Sequence, residues 1–409
     1  MNTKLLAVIM AMIVVVAGVG LYIATGDRNN GGNSPSGGET VTDALGRKVT
    51  IPDNLDGGIV VLGSSGPLRF VSMFDVFEHI IEIDKGDITD AKNGRGYSYA
   101  YAYDEFDVET QSHADNSLDA ITAERIGNKS PSIVITVASV WNKDLSNFET
   151  LSKKCAILVL NTPNMKTMTE EDGTVAKYIS DNITMLGKVF KQESRAAELI
   201  EGINGILKDI RALSGDVQKS VYVAGVTISG SNSLDTTFPK YMPFDITGVT
   251  NAYNGTSTEN KVVLNVETIT LMDMDMIVID PSSSDKIIGN EASQSVLKYL
   301  YGINNDGDKN NDIPLYITVP IVWDHINYDG VLASSYCLDY LVYGTMTLDE
   351  VKKKIDSIFT LFYGENGKDV FSDMCDFFDG KSAANGQEMP LLSQVVIVKN
   401  GNGYALEAA

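Results

Sequence analysis

The sequence predicts an α/β protein with mainly parallel sheets, divided into two strand-bearing halves by one long helix. Short β-branched runs that are apolar on both faces recur along the chain, helical patterns alternate with them, and a sustained amphipathic pattern lies between two sets of runs. A strand covered by helices on both faces has no side left for water, so it reads as an unbroken apolar run. Alternation of such runs with helical segments is the pattern of parallel α/β units.

No acid occurs in the first 26 residues, and after Lys4 the 21 residues from Leu5 to Thr25 carry no charge. That length spans a bilayer as a helix. A secretory signal has a shorter apolar core and a small-residue cleavage site, so an uncleaved single-pass anchor is favoured over a signal for residues 1–26. Lys4 then stays on the inner side and the remainder lies outside the cell. Residues 27–38 are rich in Gly, Asn and Ser, the composition of a flexible spacer.

From Glu39 onward the apolar runs come at 57–63 (GGIVVLG), 131–137 (PSIVITV), 155–161 (CAILVLN), 220–226 (SVYVAGV) and 274–281 (MDMIVIDP). Helical patterns fall at Pro67 to His79, Leu118 to Arg125 and Thr174 to Leu213. Within the last, Ala196, Leu199, Ile200, Ile203, Ile206, Leu207 and Ile210 follow a 3.6-residue period. Residues 192–213 are therefore the joining helix, between a first lobe at 39–191 and a second at 214–409. The tail after Phe371 reads as an extension, an extra hairpin that covers a sheet edge.

Fifty-four acidic against 32 basic residues give a net charge of −22, which repels a phosphate backbone and argues against a nucleic-acid partner. Cys155, Cys337 and Cys375 are an odd number without a C-x-x-C, so they read as buried free thiols. Sequons at Asn128, Asn182 and Asn254 are as many as chance provides. Asp306, Asp308, Asn310 and Asp312 alternate like the start of a calcium loop, yet Asn311 and Ile317 stand where glycine and glutamate are needed, which favours an acidic turn. GSSGP is not G-x-S-x-G, GENGKD is not a phosphate-binding loop, and H-E-x-x-H does not occur, so an enzyme is disfavoured and no cofactor is implied.

TVTDALGRKVTIPDNLDGGIVVLG, Thr40 to Gly63, carries a T-D-x-x-G-R-x-V-x-I-P pattern. With GPLRFVSMFD, GRGYSYAYAYDEF, YVAGVTISGSNSLDTTFPKYMPFD and VVLNVETITLMDMDMIVID following in order, the chain resembles, over residues 39 to 365, the archaeal substrate-binding proteins of ABC importers for iron complexes, siderophores, haem and cobalamin. The resemblance implies two Rossmann-like α/β lobes joined by one long helix, a ligand held in the cleft between them, and delivery to a permease and its ATPase.

Four segments are candidates for that cleft. GSSGPLR, 63–69, turns from a strand into a helix, and Arg69 one turn inside suits an anionic ligand group; the alternative is a tight turn with Arg69 paired to a surface acid. In GRGYSYAYAYDEF, Tyr97, Tyr99, Tyr101 and Tyr103 alternate as on a strand with one aromatic face. The resemblance places the segment instead in a loop at the cleft mouth, where Arg95 and Tyr97 match an arginine and a tyrosine of the family. Flat rings with edge hydroxyls would there grip a planar chelate. In the second lobe the resemblance marks 230–244, with Thr236, Lys240 and Tyr241, and 319–330, with Trp323, His325, Asn327 and Tyr328. Trp323 suits a core position as well as a cleft, and His325 a solvated one.

A bare transition-metal ion needs three or four converging ligands, whereas His79, His113 and His325 stand in unrelated contexts. An intact chelate brings its own ligands and asks only for shape, aromatic walls and a few polar groups. Carboxylate or catecholate oxygens suit Arg69 and Arg95 as bidentate partners. The expectation is a membrane-tethered extracellular receptor for an iron chelate or related metal macrocycle. A receptor for a bare metal ion or oxyanion, and a surface adhesin, are the alternatives.

Overall fold

The computed structural model describes residues 38–409 except 65, 90–93, 102–116, 164–166, 216–217, 227–232, 256, 258–260, 284–288, 309–311, 324 and 386–388. Glu39–Ala409 forms one compact unit. The anchor and nearly all of the spacer expected from the sequence lie outside the described residues, among which no helix is long and apolar enough to cross a membrane.

The chain opens with an antiparallel hairpin, β1 (Thr40–Thr42) and β2 (Lys48–Thr50), turned at Gly46 with φ +74°. Arg47 fastens it to the body: the guanidinium binds Asp43 Oδ2, donates to the Ile157 carbonyl at 3.0 Å and lies 3.8 Å from the Trp141 ring centre. The first sheet follows, with β3 (Ile59–Val61), β4 (Ile80–Glu82), β5 (Ile133–Val137) and β6 (Ala156–Leu160) all parallel in the order β4-β3-β5-β6. Its helices are α1 (Leu68–Val71), α2 (Lys85–Thr89), α3 (Tyr97–Ala100), α4 (Ala120–Lys129), α5 (Ala138–Lys143) and α6 (Leu145–Leu151). The helix expected over Pro67 to His79 is only α1 plus a 3-10 turn at Phe77–His79. Every residue from Leu68 to Phe74 is buried, so this part is enclosed on every side and has no polar face to define a helical period. The helix expected at Leu118 to Arg125 starts and ends later. Asp119 caps it by accepting the Thr122 N–H at 2.7 Å, and Ser130, with φ 51°, stops it.

Thr174 to Leu213 is likewise two helices, α7 (Lys177–Val189) and α8 (Glu193–Leu213), separated where Lys191 takes φ +57°. Along α8, Ala196, Leu199, Ile203, Leu207 and Ile210 are buried at helical spacing. Each of the larger aliphatic side chains contributes roughly 1.5–3 kcal/mol of transfer free energy.

The second sheet has six strands in the order β16-β15-β12-β11-β7-β9. Its parallel part is β9 (Thr250–Asn251), β7 (Ser220–Ala224), β11 (Met276–Ile279) and β12 (Leu315–Ile317). Two short antiparallel pairs stand apart from it: β8 (Thr236–Thr237) with β10 (Val262–Val263), and β13 (Val322–Trp323) with β14 (His325–Ile326). Its helices are α9 (Met242–Thr247), α10 (Val266–Thr270), α11 (Glu291–Ile303), α12 (Tyr328–Leu338), α13 (Leu348–Tyr363) and α14 (Val370–Asn385). All five runs read as strands from sequence are strands. The tail forms the hairpin β15 (Gln394–Asn400) and β16 (Gly403–Ala408), and β15 pairs antiparallel with β12, covering its edge as expected. On the outer side, the Gln294 side chain accepts from the Tyr404 N–H at 2.8 Å and donates to the Tyr404 carbonyl at 2.9 Å. A β edge is thereby blunted by one amide.

The last helices return to the first half. Arg195 of α8 donates to Met73 O on one side and to Leu361 O and Phe362 O on the other. Of the cysteines only Cys337 is buried; Cys155 and Cys375 are half-buried, and all three are free. The sequon residue Asn182 is buried with its amide bonded to Asn161 O at 2.7 Å, so that asparagine is a core residue.

Candidate functional site

Three stretches from the two halves meet at one junction: 63–71 and 94–101 from the first, 320–329 from the second. Gly63 ends the first strand with φ +108° and donates to Asp84 Oδ2 at 3.1 Å. A Cβ there would lie 3.2 Å from Val137, so the position favours glycine on both counts. The turn delivers α1, where Arg69 is buried and donates Nη1 to the carbonyl of Ile326. That bond crosses from one half to the other.

The segment after Gly94 contradicts the reading of its tyrosines as a strand with one aromatic face, because Tyr97–Ala100 is one turn of helix. Residues two apart on a helix point to nearly opposite sides. Tyr97 turns inward, Tyr99 packs edge-on against Phe377 at 6.0 Å, and Tyr101 stacks on Phe77 at 4.9 Å. Tyr103 lies outside the described residues. Asp87 of α2, wholly buried, accepts from Arg95 Nη1 at 3.1 Å and from the Tyr97 hydroxyl at 2.8 Å. Taking two charges out of water is repaid only by close pairing of this kind.

Glycines let the halves touch. A Cβ on Gly94 would lie 2.4 Å from Pro320 Cγ, and one on Gly96 would lie 2.0 Å from Asp329 Oδ2. The Asn327 amide donates to Gly94 O at 3.2 Å, a second bond across the junction, while its backbone N–H donates to Ile321 O at 2.8 Å. Tyr328 lies 5.4 Å from the Phe70 ring and 6.3 Å from Tyr178 at the start of α7. Asp329 accepts from the Tyr363 hydroxyl at 2.7 Å.

Burial sets the protonation states. The His325 imidazole is pushed down to about 3 by desolvation and then by the nearby Arg69 charge, so it is neutral at physiological pH. Tyr328 is pushed up to about 12 by burial, against the pull of Arg69. Burial also raises Asp329, with the Tyr363 bond the largest opposing effect. The junction thus offers a guanidinium, a neutral imidazole, an amide and phenol hydroxyls, groups that hold and orient. Among the described residues no three His, Cys, Asp or Glu are grouped to hold a metal ion.

Of the residues singled out from sequence, Arg69, Arg95, Tyr97, His325, Asn327 and Tyr328 come to this junction. Tyr99 is turned to α14. Thr236 and Tyr241 do not join them. Thr236 is wholly buried in β8, and the buried Tyr241 hydroxyl pairs with Ser334 Oγ at 3.1 Å, since a phenol taken into a core needs a partner. Trp323 is in β13, and its side chain lies outside the described set. Sequence reasoning missed Asp87, Tyr178, Asp329 and Tyr363. The glycines bracketing Arg95 were the one visible sign that other side chains come close to the backbone there.

Residues 95–298 match the family described as periplasmic binding protein. No curated protein matches the sequence. Among solved structures, the chain is similar to a periplasmic solute binding protein from Veillonella parvula (16% identity, 81% of this chain and 96% of that one, TM-score 0.56). It is also similar to the molybdate periplasmic binding protein MolA of a Haemophilus influenzae ABC transporter, bound to molybdate (15% identity, 80% and 98%, TM-score 0.53). A third is an ABC transporter solute binding protein from Sulfurospirillum deleyianum (14% identity, 80% and 95%, TM-score 0.51).

Proposed function

The chain belongs to the periplasmic binding protein family, and from that premise we propose that it is the extracytoplasmic receptor of an ABC importer, taking its solute at the junction of the two halves. The observation that carries this reading is the convergence of Arg69, Arg95 and Tyr97 with His325, Asn327 and Tyr328, joined by two hydrogen bonds that cross the junction. A solute entering there exchanges these contacts for its own. Arg69 and the donors around it suit an anionic group. An iron chelate such as a ferric siderophore, or a related macrocycle, is the cargo we infer, delivered to a permease and its ATPase by a receptor tethered through Leu5 to Thr25. Binding is the whole of the chemistry in this reading.

An oxyanion is the second reading, favoured by the close approach of Gly94 to Pro320 and of Gly96 to Asp329. A small anion asks for little separation of these two segments, whereas a chelate must part them. MolA, similar in fold, binds molybdate.

Titration of the unit Glu39–Ala409 with ferric siderophores, haem, cobalamin and molybdate, followed by tryptophan fluorescence and visible absorbance, separates the two. Saturable binding of one chelate, weakened about tenfold or more by Arg69→Ala, is the expected result. Saturation by molybdate alone selects the oxyanion. Silence toward all four, in a protein shown to be folded, removes the receptor assignment.

A further inference from the structure

Asp280 immediately follows β11 and is wholly buried. Its Oδ2 accepts the Ile321 N–H at 3.0 Å, and its Oδ1 accepts the Ser282 N–H at 2.9 Å and the Ser282 hydroxyl. Ile321 passes the restraint on, because its carbonyl accepts the Asn327 N–H at 2.8 Å and Asn327 in turn reaches Gly94 O. A continuous line of hydrogen bonds therefore runs from the second sheet to the first half. Thr318, bonded by its N–H and hydroxyl to Ile279 O, holds the other end of the same stretch.

We propose that Asp280 is the positioning residue for the second half of the junction: its ionised carboxylate, through the Ile321 N–H, fixes the turn that presents Asn327 to Gly94. The proposal rests on the reading of this junction as the solute site. Three hydrogen bonds to a carboxylate outweigh three to a neutral acid, because charge-assisted bonds are about twice as strong. When the turn opens while Asp280 stays buried, the carboxyl loses the bonds that favour its ionised form and no water replaces them, so protonation loosens residues 318–323 and 325–328. Burial raises the Asp280 carboxyl to about 6, with the Ser282 and Ile321 bonds acting against it, so the loosening falls within an accessible pH range.

The ionisable group facing Asp280 from the residue that precedes α9 is Tyr241, whose phenol burial and Asp280 both push upward and which stays neutral. Among the described residues, the charged or titratable neighbours along 318–328 are His325 and Tyr328 within it, Tyr178 on α7, Asp329 on α12 and Arg69 on α1, while Asp324 lies outside the described residues. Of these, Asp329 also titrates upward and must be told apart from Asp280.

Amide hydrogen exchange of the full-length chain without ligand tests the proposal independently of any cargo. At pH 7.5, Asp280→Asn raises exchange at Ile321 and Asn327 about tenfold, the factor carried by one charge-assisted bond, relative to Val134–Thr136 in the first sheet. In the unsubstituted chain, exchange at Ile321, corrected for its intrinsic pH dependence, rises as pH falls through about 6. Ser282→Ala removes a donor to the carboxylate and moves that rise to higher pH, which an origin in Asp329 would not do. Unchanged exchange in a folded Asp280→Asn, or a rise that Ser282→Ala leaves in place, overturns the proposal. If Asp280→Asn does not fold, the Ser282→Ala profile alone decides. Failure to bind any solute would sink the receptor reading and leave this result standing.

Discussion

The first sheet and the parallel part of the second place four strands in the same order, β4-β3-β5-β6 and β9-β7-β11-β12, yet their outer edges and their buried charges are handled differently. Next to β6 lies the N-terminal hairpin, held by the Ala44 N–H on Val159 O and by Arg47 on Ile157 O. Next to β12 lies the C-terminal hairpin, paired as true sheet. Free N–H and C=O groups on an outer strand have to be covered, and each half uses whichever end of the chain is near. The inward charges differ as well. In the first half Asp87 is matched by a buried guanidinium, whereas Asp280 and Asp339 in the second are met mainly by neutral donors. The shared order comes from continuous apolar runs, and the differences come from single polar side chains.

That contrast breaks first at Asp87. Replacing it with alanine leaves Arg95 buried without its carboxylate and costs about 3–5 kcal/mol in urea unfolding. A loss under about 1 kcal/mol would mean that the first half is not held by its ion pair. Next in size is Arg47→Ala, which removes the bonds to Asp43 and Ile157 O and the stacking on Trp141. It destabilises by about 2 kcal/mol and alters Trp141 emission.

The second half gives the opposite sign. Burial, with Asp209 adding repulsion and Ser214 opposing, raises the Asp339 carboxyl to about 7, and its Oδ2 has no hydrogen-bond partner among the described residues. The folded chain then keeps a proton that the unfolded chain has lost between about pH 4 and pH 7, so this group's contribution to stability falls as pH rises through that window. Asp339→Asn should match the parent at pH 4 and exceed it by at least about 1 kcal/mol at pH 8, with about 4 kcal/mol as the upper bound set by that window, in thermal unfolding at the two pH values. Equal stability at both would show the carboxyl to be solvated. The smallest effect belongs to Gln294→Ala at the outer edge of β16, about 0.5–1 kcal/mol, less than Arg47→Ala at the other hairpin. An equal or larger loss would reverse the ranking of the two covers.

Much of the fold was legible because burial on both faces leaves a mark in local sequence. The runs at 59–61, 133–137, 156–160, 220–224 and 276–279 are strands, and the periodic stretch ending at Leu213 is the long helix α8. The Tyr97 to Tyr101 stretch misled for a definite reason: alternation of tyrosine with serine and alanine fits a strand, but a segment enclosed by Asp87, Phe377 and Phe77 takes the turn that satisfies all three. Arg69 was singled out by its place after a strand-to-helix turn, and Asn327 and Tyr328 through resemblance to a family. Asp87 and Tyr363 were not, since what marks them is contact with residues 8 or more positions away, which no local period records.

The return of α13 and α14 to the first half has a consequence for the order in which the protein is made. Gly96 is packed against Phe359 and Tyr363, and Gly94 against Phe378. During synthesis from the N-terminus, the first sheet can form once β6 has left the ribosome, but the enclosure around residues 94–101 waits for about 220 more residues, roughly 10 to 40 s at ordinary elongation rates. Throughout that interval a nascent chain carries an assembled sheet beside an unfinished junction.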